Sequence, residues 1–332
     1  MTDARPDVRG PAQLVPLVAG AVVSAVFLWL AARNVEWSRL WDQLQHLRLP
    51  PLVTGAILAL AALVGMAYRW HMLLGDTARV TVADVFDFTT IGFLSGLVMP
   101  QRLGDIVKVV LLARRGGASR TSVLATVVLE RLTDVIMLLL LAALFVVTIR
   151  LPVLLEASVA GLALVTVGAL LAIRFNRSLT PRLFRFARRF VPARLMGMVE
   201  DQVGKLADGF HAMKSSRRLF GAGALAALVW GLSGVSMSAY VAAFGLPVPW
   251  YAGFLVILLT NLGGILPSSP GSIGVYHYMT VLALTTFGTD RTDALSFALV
   301  THAMTMLLIV LTGVWGLTRQ GLTLRAVRRG GL

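Results

Sequence analysis

GLVMPQRLG, residues 96–104, and GGILPSSPG, residues 263–271, share the pattern Gly-x3-Pro-x3-Gly at a constant offset of 167 residues. Gly96, Pro100 and Gly104 thereby pair with Gly263, Pro267 and Gly271. Each motif cuts an apolar stretch short, Val82–Met99 in the first case and Trp250–Leu266 in the second. Proline has no amide hydrogen to give and glycine lets backbones approach closely, so neither stretch runs on as one helix. The same offset carries Leu52–Trp70 onto Leu219–Phe244, and Thr121–Ile149 closely onto Thr292–Thr318. Two related halves follow, 1–150 and 151–332.

The stretches around the motifs are long enough for a membrane. The chain is 57% hydrophobic and only 14% charged, with a mean hydropathy of +0.80. A soluble domain is about 45–50% apolar and about 25% charged, so a body covered by water is excluded. A hydrocarbon core about 30 Å thick takes roughly 20 apolar residues of helix. Six stretches qualify: Leu14–Ala32, Leu52–Trp70, Thr121–Ile149, Val153–Ile173, Leu219–Phe244 and Thr292–Thr318. The first precedes Arg33 without a small-residue cleavage site and reads as a retained span rather than a signal peptide. The chain has no cysteine, which excludes disulfides, thiolate metal sites and cysteine nucleophiles.

Loop charge orients the spans. The chain carries 30 Lys+Arg against 16 Asp+Glu. In a soluble chain that excess would raise the question of nucleic acid; here cationic cytoplasmic loops account for it, and no nucleic-acid partner is expected. The loop 174–218 holds eleven Lys/Arg and three Asp/Glu, Arg102–Arg120 is basic, and the C-terminal tail adds Arg319, Arg325, Arg328 and Arg329. The connection Gly245–Pro249 is uncharged. Placing the basic regions and both termini in the cytoplasm makes the interrupted stretches re-entrant. One hairpin, about 82–116, enters from the cytoplasm, and the other, about 250–288, enters from outside. The expected fold is an all-α polytopic membrane protein with six full transmembrane helices and two re-entrant helical hairpins, arranged as an inverted-topology repeat. Inverted repeats with broken helices point to a transport site near mid-membrane. The hairpin tips would leave unpaired backbone groups near a ligand. Glu200–Ser215 reads as a short surface helix, the aromatic and basic run 174–194 as a headgroup-hugging loop. Trp29, Trp37, Trp41, Trp70, Trp250 and Trp315 read as an interfacial belt.

Several charges fall inside this apolar frame. Arg102, Asp105 and Lys108 follow the first tip with helical spacing, and Glu130, Arg131 and Asp134 sit in the third long span. At 1.5 Å per residue Glu130 lies about 14 Å from the cytoplasmic end. A charge at such depth costs about 2.5–3.5 kcal/mol on insertion scales, so it faces protein or water. These six residues read either as a buried ion-pair network or as a substrate site. In the second reading Arg102 and Lys108 meet an anionic headgroup, while Glu130 and Asp134 balance them or receive a cationic group. Arg69 reads as an interface anchor or a further member of the site. Asn261, Ser268, Ser269 and Ser272 bind a headgroup or cap broken helix ends. His277 and His302 are satisfied locally or relay protons. No metal motif, nucleotide loop or nucleophile elbow is present, so neither a cofactor nor a catalytic activity is expected. Gly221-x-Gly223 and Gly231-x-x-Gly234 allow close helix packing within or between protomers.

The patterns Pro100-x-Arg102-x-Gly104-Asp105-x-x-Lys108, Val128-Leu-Glu-Arg-Leu-Thr-Asp134 and Pro267-x-x-Pro270-Gly271-x-x-Gly274-Val275 resemble the lysylphosphatidylglycerol synthase transmembrane-region family. The resemblance covers about residues 14–320. It implies a lipid translocase, flippase or scramblase, for polar or aminoacylated phospholipids or for glycolipids, with re-entrant helices lining the cavity. The resemblance implies the lipid itself as partner; beside it stands a second protomer, allowed by the glycine faces. In a second reading the chain is a non-transporting scaffold presenting lipid to a lipid-modifying enzyme such as a glycosyltransferase, with the loop 174–218 as the docking surface. By position the resemblance assigns the site to Arg102, Asp105, Lys108, Glu130, Arg131 and Asp134, with Pro267, Pro270, Gly271 and Gly274 at the second tip. The family often carries an acid where His277 stands and a second glycine where Ser272 stands. The soluble acyltransferase domain of full-length synthases is not expected in these 332 residues, nor is aminoacyl transfer.

Overall fold

The computed structural model describes residues 11–33, 35–98, 103–148, 161, 216–264, 266 and 269–323. Apart from Gly161, the expected span Val153–Ile173 lies outside the described residues, as do residues 174–215 of the basic loop, including Glu200–Ser215, and Pro100, Arg102, Pro267 and Ser268. Those described form helices and their connections: α1 Pro11–Ala32, α2 Trp37–Gln45, α3 Leu49–Leu74, α4 Val82–Val98, α5 Leu103–Gly116, α6 Arg120–Thr148, α7 Ser216–Ala243, α8 Ala252–Gly263, α9 Val275–Thr285 and α10 Arg291–Arg319. Among the described residues there is no strand.

Four of these helices, α3, α6, α7 and α10, are long and apolar enough to cross a membrane. They coincide with four of the six expected spans, and α1 is a 22-residue helix over the first. The outward faces carry Ile57, Val64, Leu140, Leu144, Leu307 and Leu311. Apolar side chains turned outward along such helices suit lipid rather than water, and the protein is a multi-pass membrane protein. The order long, short, short, long occurs twice, as α3–α6 and α7–α10. At 1.5 Å per residue α8 and α9 reach roughly 18 and 16 Å, and α4 and α5 roughly 25 and 21 Å, short of a core about 30 Å thick.

Local chemistry sets the helix starts. Thr81 and Asp84 exchange bonds at the head of α4: the Asp84 amide donates to Thr81 Oγ1 at 3.1 Å, and the Thr81 amide to Asp84 Oδ2 at 3.1 Å. This is a capping box, satisfying two donors that the first turn leaves free. Ser119 caps α6 by accepting the Ser122 amide at 3.0 Å, and Asp290 caps α10 by accepting the Thr292 amide at 2.8 Å.

The chain forms two compact units, each drawing on both halves of the sequence. Unit 1 comprises Met1–Leu60, Ile91–Gly104 and Ser233–Trp315. Within it α8 packs on α9, and α1 on α9. Gly104 lies against Gly92, whose carbonyl a Cβ would strike, so the start of α5 folds back onto α4. Ser236 donates to the carbonyl of Gly55 at 2.7 Å, tying α7 to α3. Helix α2, not anticipated from the sequence, buries Leu40 and exposes Trp37 and Trp41. Arg39 holds it to Asp293 at 2.8 Å. Unit 2 comprises Ala61–Thr90, Asp105–Leu232 and Gly316–Leu332. Its core includes Leu73, Leu129 and Ala222.

Of the expected aromatic belt, Trp29, Trp37, Trp41, Trp250 and Trp315 are exposed. Trp70 is not: it is fully buried, because its indole N–H donates to Thr126 Oγ1 at 2.9 Å inside unit 2. Gly221 and Gly234 are filled by Met72 and Phe254, whereas Gly223 and Gly231 meet nothing within 4 Å.

Candidate functional site

Five of the six charged residues read from the sequence meet in unit 2, and Arg69 joins them. Asp105 and Lys108 stand one turn apart on α5, while Glu130, Arg131 and Asp134 occupy adjoining turns of α6. Lys108 Nζ is 3.0 Å from Glu130 Oε2 and 3.4 Å from Asp105 Oδ1. Arg69, near the end of α3, donates through Nη1 to Asp134 Oδ1 at 2.6 Å and through Nη2 to Glu130 Oε1 at 3.4 Å. Arg131 Nη2 reaches both oxygens of Asp105, at 2.8 and 2.9 Å, and its Nη1 lies 3.7 Å from Asp134 Oδ2. The result is one connected network of three cations and three carboxylates.

Indole groups close it. Lys108 Nζ sits 4.7 Å from the centroid of the Trp70 ring, a cation–π placement, and Trp230 Nε1 donates to Asp134 Oδ1 at 3.3 Å. The network is graded from sealed to open. Side-chain exposure is 0% at Arg69, 1% at Lys108 and 5% at Glu130, then 20% at Asp134, 37% at Asp105 and 48% at Arg131. Arg69 is thus no interface anchor: with a carboxylate on each terminal nitrogen it is the most enclosed member. Lys108 and Arg131 are both paired, and of the two it is Arg131 that is half-exposed.

A family model described as the lysylphosphatidylglycerol synthase TM region matches residues 17–313. The chain belongs to this family. It is also 25% identical over 321 residues to the glycosyltransferase AglD of Haloferax volcanii, covering 90% of this chain and 48% of that protein. The chain therefore spans about half the length of that curated relative. No solved structure matches.

The second tip, in unit 1, holds no charge of this kind, and three of its described backbone groups are taken up by side chains. The Ser269 amide donates to Ser24 Oγ at 2.8 Å, His302 Nε2 bonds the Gly271 carbonyl at 2.9 Å, and the Gly274 amide donates to His277 Nδ1 at 3.2 Å. Tyr276 stacks on His302 with centroids 4.4 Å apart and donates to Thr301 Oγ1 at 3.1 Å. Both histidines are thus occupied in fixing the tip. Asn261 is exposed and donates to the Ile257 carbonyl within α8 at 2.8 Å. Gly271 and Gly274 take φ of +74° and +90°, the left-handed side where a Cβ is strained. Ser272 shares it at +55° and, among the described residues, is the one non-glycine that does. The serine thus carries a Cβ into the region that glycine occupies freely. Gly271 also stands near Leu97 of α4: a Cβ there would be 3.9 Å from its methyl.

A second buried charged set escaped the sequence reading. Asp87, fully buried, takes Arg319 Nε at 3.1 Å and Gln320 Nε2 at 2.8 Å on its Oδ2, and Gln320 also donates to Asp84 Oδ1 at 3.1 Å. The signal was present: two acids three residues apart inside an apolar stretch, Val82–Met99. Their partner Gln320 lies 233 and 236 residues along the chain, where local spacing gives no pointer. This set joins the end of α10 to α4 within unit 2.

Proposed function

We propose that the protein moves a polar lipid, a phospholipid or glycolipid, between the leaflets of the cytoplasmic membrane. Its headgroup would pass beside the Asp105–Arg131 edge of the network while the acyl chains stay in lipid. The observation that carries this reading is a connected set of six charged side chains, open at one edge, set among helices apolar enough to cross a membrane. Such charges are costly in hydrocarbon and mark substrate pathways when they face a cavity. In this reading α4–α5 and α8–α9 are re-entrant hairpins of an inverted repeat, with both termini in the cytoplasm, and neither chemistry nor a cofactor is required of the chain. Arg131 meets the phosphate, its planar fork suiting two oxygens at once. Arg69, Lys108, Glu130 and Asp134 hold the frame.

The test is transport of fluorescent-tailed lipids by purified protein in liposomes, with Arg131→Gln as the comparison. Lipid-specific movement lost in the variant supports the reading; unchanged movement in the variant removes Arg131 from it. A second reading is favoured by the sealing of Arg69, Lys108 and Glu130 and by the glycosyltransferase name of the relative: a scaffold presenting lipid to a lipid-modifying enzyme. It predicts no transport by well-folded protein, together with loss of the enzyme's product in membranes lacking the chain.

A further inference from the structure

We propose that the network selects headgroups by charge balance, accepting one that carries a single phosphate and a single ammonium and discriminating against one that is purely anionic. The inference rests on the translocase reading above. Among the described residues the network is neutral: Arg69, Lys108 and Arg131 are matched by Asp105, Glu130 and Asp134. Arg102 is outside this count. A net charge added to such a set among apolar helices meets little screening, so a headgroup is admitted most readily when it leaves the sum unchanged.

The Asp105–Arg131 pair is the place where a headgroup can enter. It is the most exposed pair in the set. Each member also keeps a second partner when the pair parts. Arg131 retains Asp134 at 3.7 Å, and Asp105 retains Lys108 at 3.4 Å. Opening it therefore presents a guanidinium and a carboxylate side by side, both tethered by the inner network. A phosphate takes the first and an ammonium the second, restoring both pairings across the ligand. A phosphate alone would leave Asp105 sharing Lys108 with Glu130, one negative charge in excess. A headgroup with two ammoniums on one phosphate, such as lysylphosphatidylglycerol, errs by one charge the other way.

The experiment uses the full chain in phosphatidylcholine liposomes with trace tail-labelled phosphatidylethanolamine, phosphatidylglycerol or lysylphosphatidylglycerol. Phosphatidylethanolamine is expected to move at least about tenfold faster than either of the others, a factor equivalent to about 1.4 kcal/mol. Asp105→Asn removes one carboxylate and should turn the preference toward phosphatidylglycerol. The wild-type comparison needs no variant, so a poorly folding Asp105→Asn protein does not protect the proposal. Phosphatidylglycerol moving as fast as phosphatidylethanolamine overturns charge selection and leaves translocation standing. Movement of no lipid removes the translocase reading and this inference with it. An unchanged preference in folded Asp105→Asn protein removes Asp105 from the mechanism.

Discussion

Lys108 Nζ stands 3.0 Å from Glu130 Oε2 with almost none of either side chain exposed, joining α5 to α6 inside unit 2. Removing one charge of such a pair leaves the other with only a longer contact, Lys108 with Asp105 or Glu130 with Arg69, each at 3.4 Å, in a place that water does not reach. The cost of that is about 3–5 kcal/mol, more than either charge gains by pairing. Glu130→Gln and Lys108→Met should each lower the melting temperature in detergent, followed by tryptophan fluorescence. The double variant removes one charge of each sign and should lose less than the two single losses added together. Single variants that melt with the wild type would show that the pair is not sealed. Glu130 is consequently a poor control for transport, since its loss would confuse folding with function.

Arg69 makes a different demand. Its two terminal nitrogens serve two carboxylates on successive turns of α6, Asp134 at 2.6 Å and Glu130 at 3.4 Å. A lysine brings a single point charge and cannot span both. Arg69→Lys is expected to destabilise by about 1–3 kcal/mol, the range for a charged hydrogen bond lost in a buried setting. Equal melting of Arg69→Lys and wild-type protein would mean that one of the two contacts contributes nothing.

The second tip offers a gain. Ser272 at φ +55° carries a Cβ on the side of the map that glycine occupies freely. Ser272→Gly should stabilise by about 0.5–1 kcal/mol through relief of that strain, offset in part by the greater freedom of glycine in the unfolded chain. Gly271→Ala should destabilise, since its φ is +74° and its Cβ would stand 2.7 Å from the Met306 methyl. Opposite signs at adjacent residues are the outcome to look for in thermal melts. A destabilised Ser272→Gly protein would mean that the serine hydroxyl contributes more than its backbone costs.

The long helices and the breaks at the tips were legible because hydropathy and proline act locally. So was the clustering of Asp105, Lys108, Glu130, Arg131 and Asp134, since three- and four-residue spacing fixes which side chains share a helix face. Arg69 was misplaced because an arginine ending an apolar run looks the same whether it reaches for water or for a carboxylate 61 residues later. The difference lies in tertiary packing, to which the sequence around Arg69 gives no pointer. Trp70 was misread for the same reason: its indole donor finds Thr126, 56 residues away, instead of the headgroup region. Asp87 needed a partner at Arg319, on the far side of most of the sequence.

The gradient of exposure across the network gives a last expectation, and it separates the outer edge from the inner frame. Asp105 and Asp134 each bond an arginine at 2.8 Å or less, yet Asp105 is much the more exposed and its arginine, Arg131, is about half exposed. Loss of the outer carboxylate leaves Arg131 in reach of solvent and of Asp134. Asp105→Asn should then cost less than Asp134→Asn, within the range of about 1–3 kcal/mol for a lost charged hydrogen bond. Loss of the inner charge leaves fully buried Arg69 facing a neutral amide at its shortest contact, so Asp134→Asn should cost about 3–5 kcal/mol. Melting both variants in the same detergent decides the matter. If Asp105→Asn proves as damaging as Asp134→Asn, the Asp105–Arg131 edge is part of the frame, and a headgroup could not open it without unfolding its surroundings.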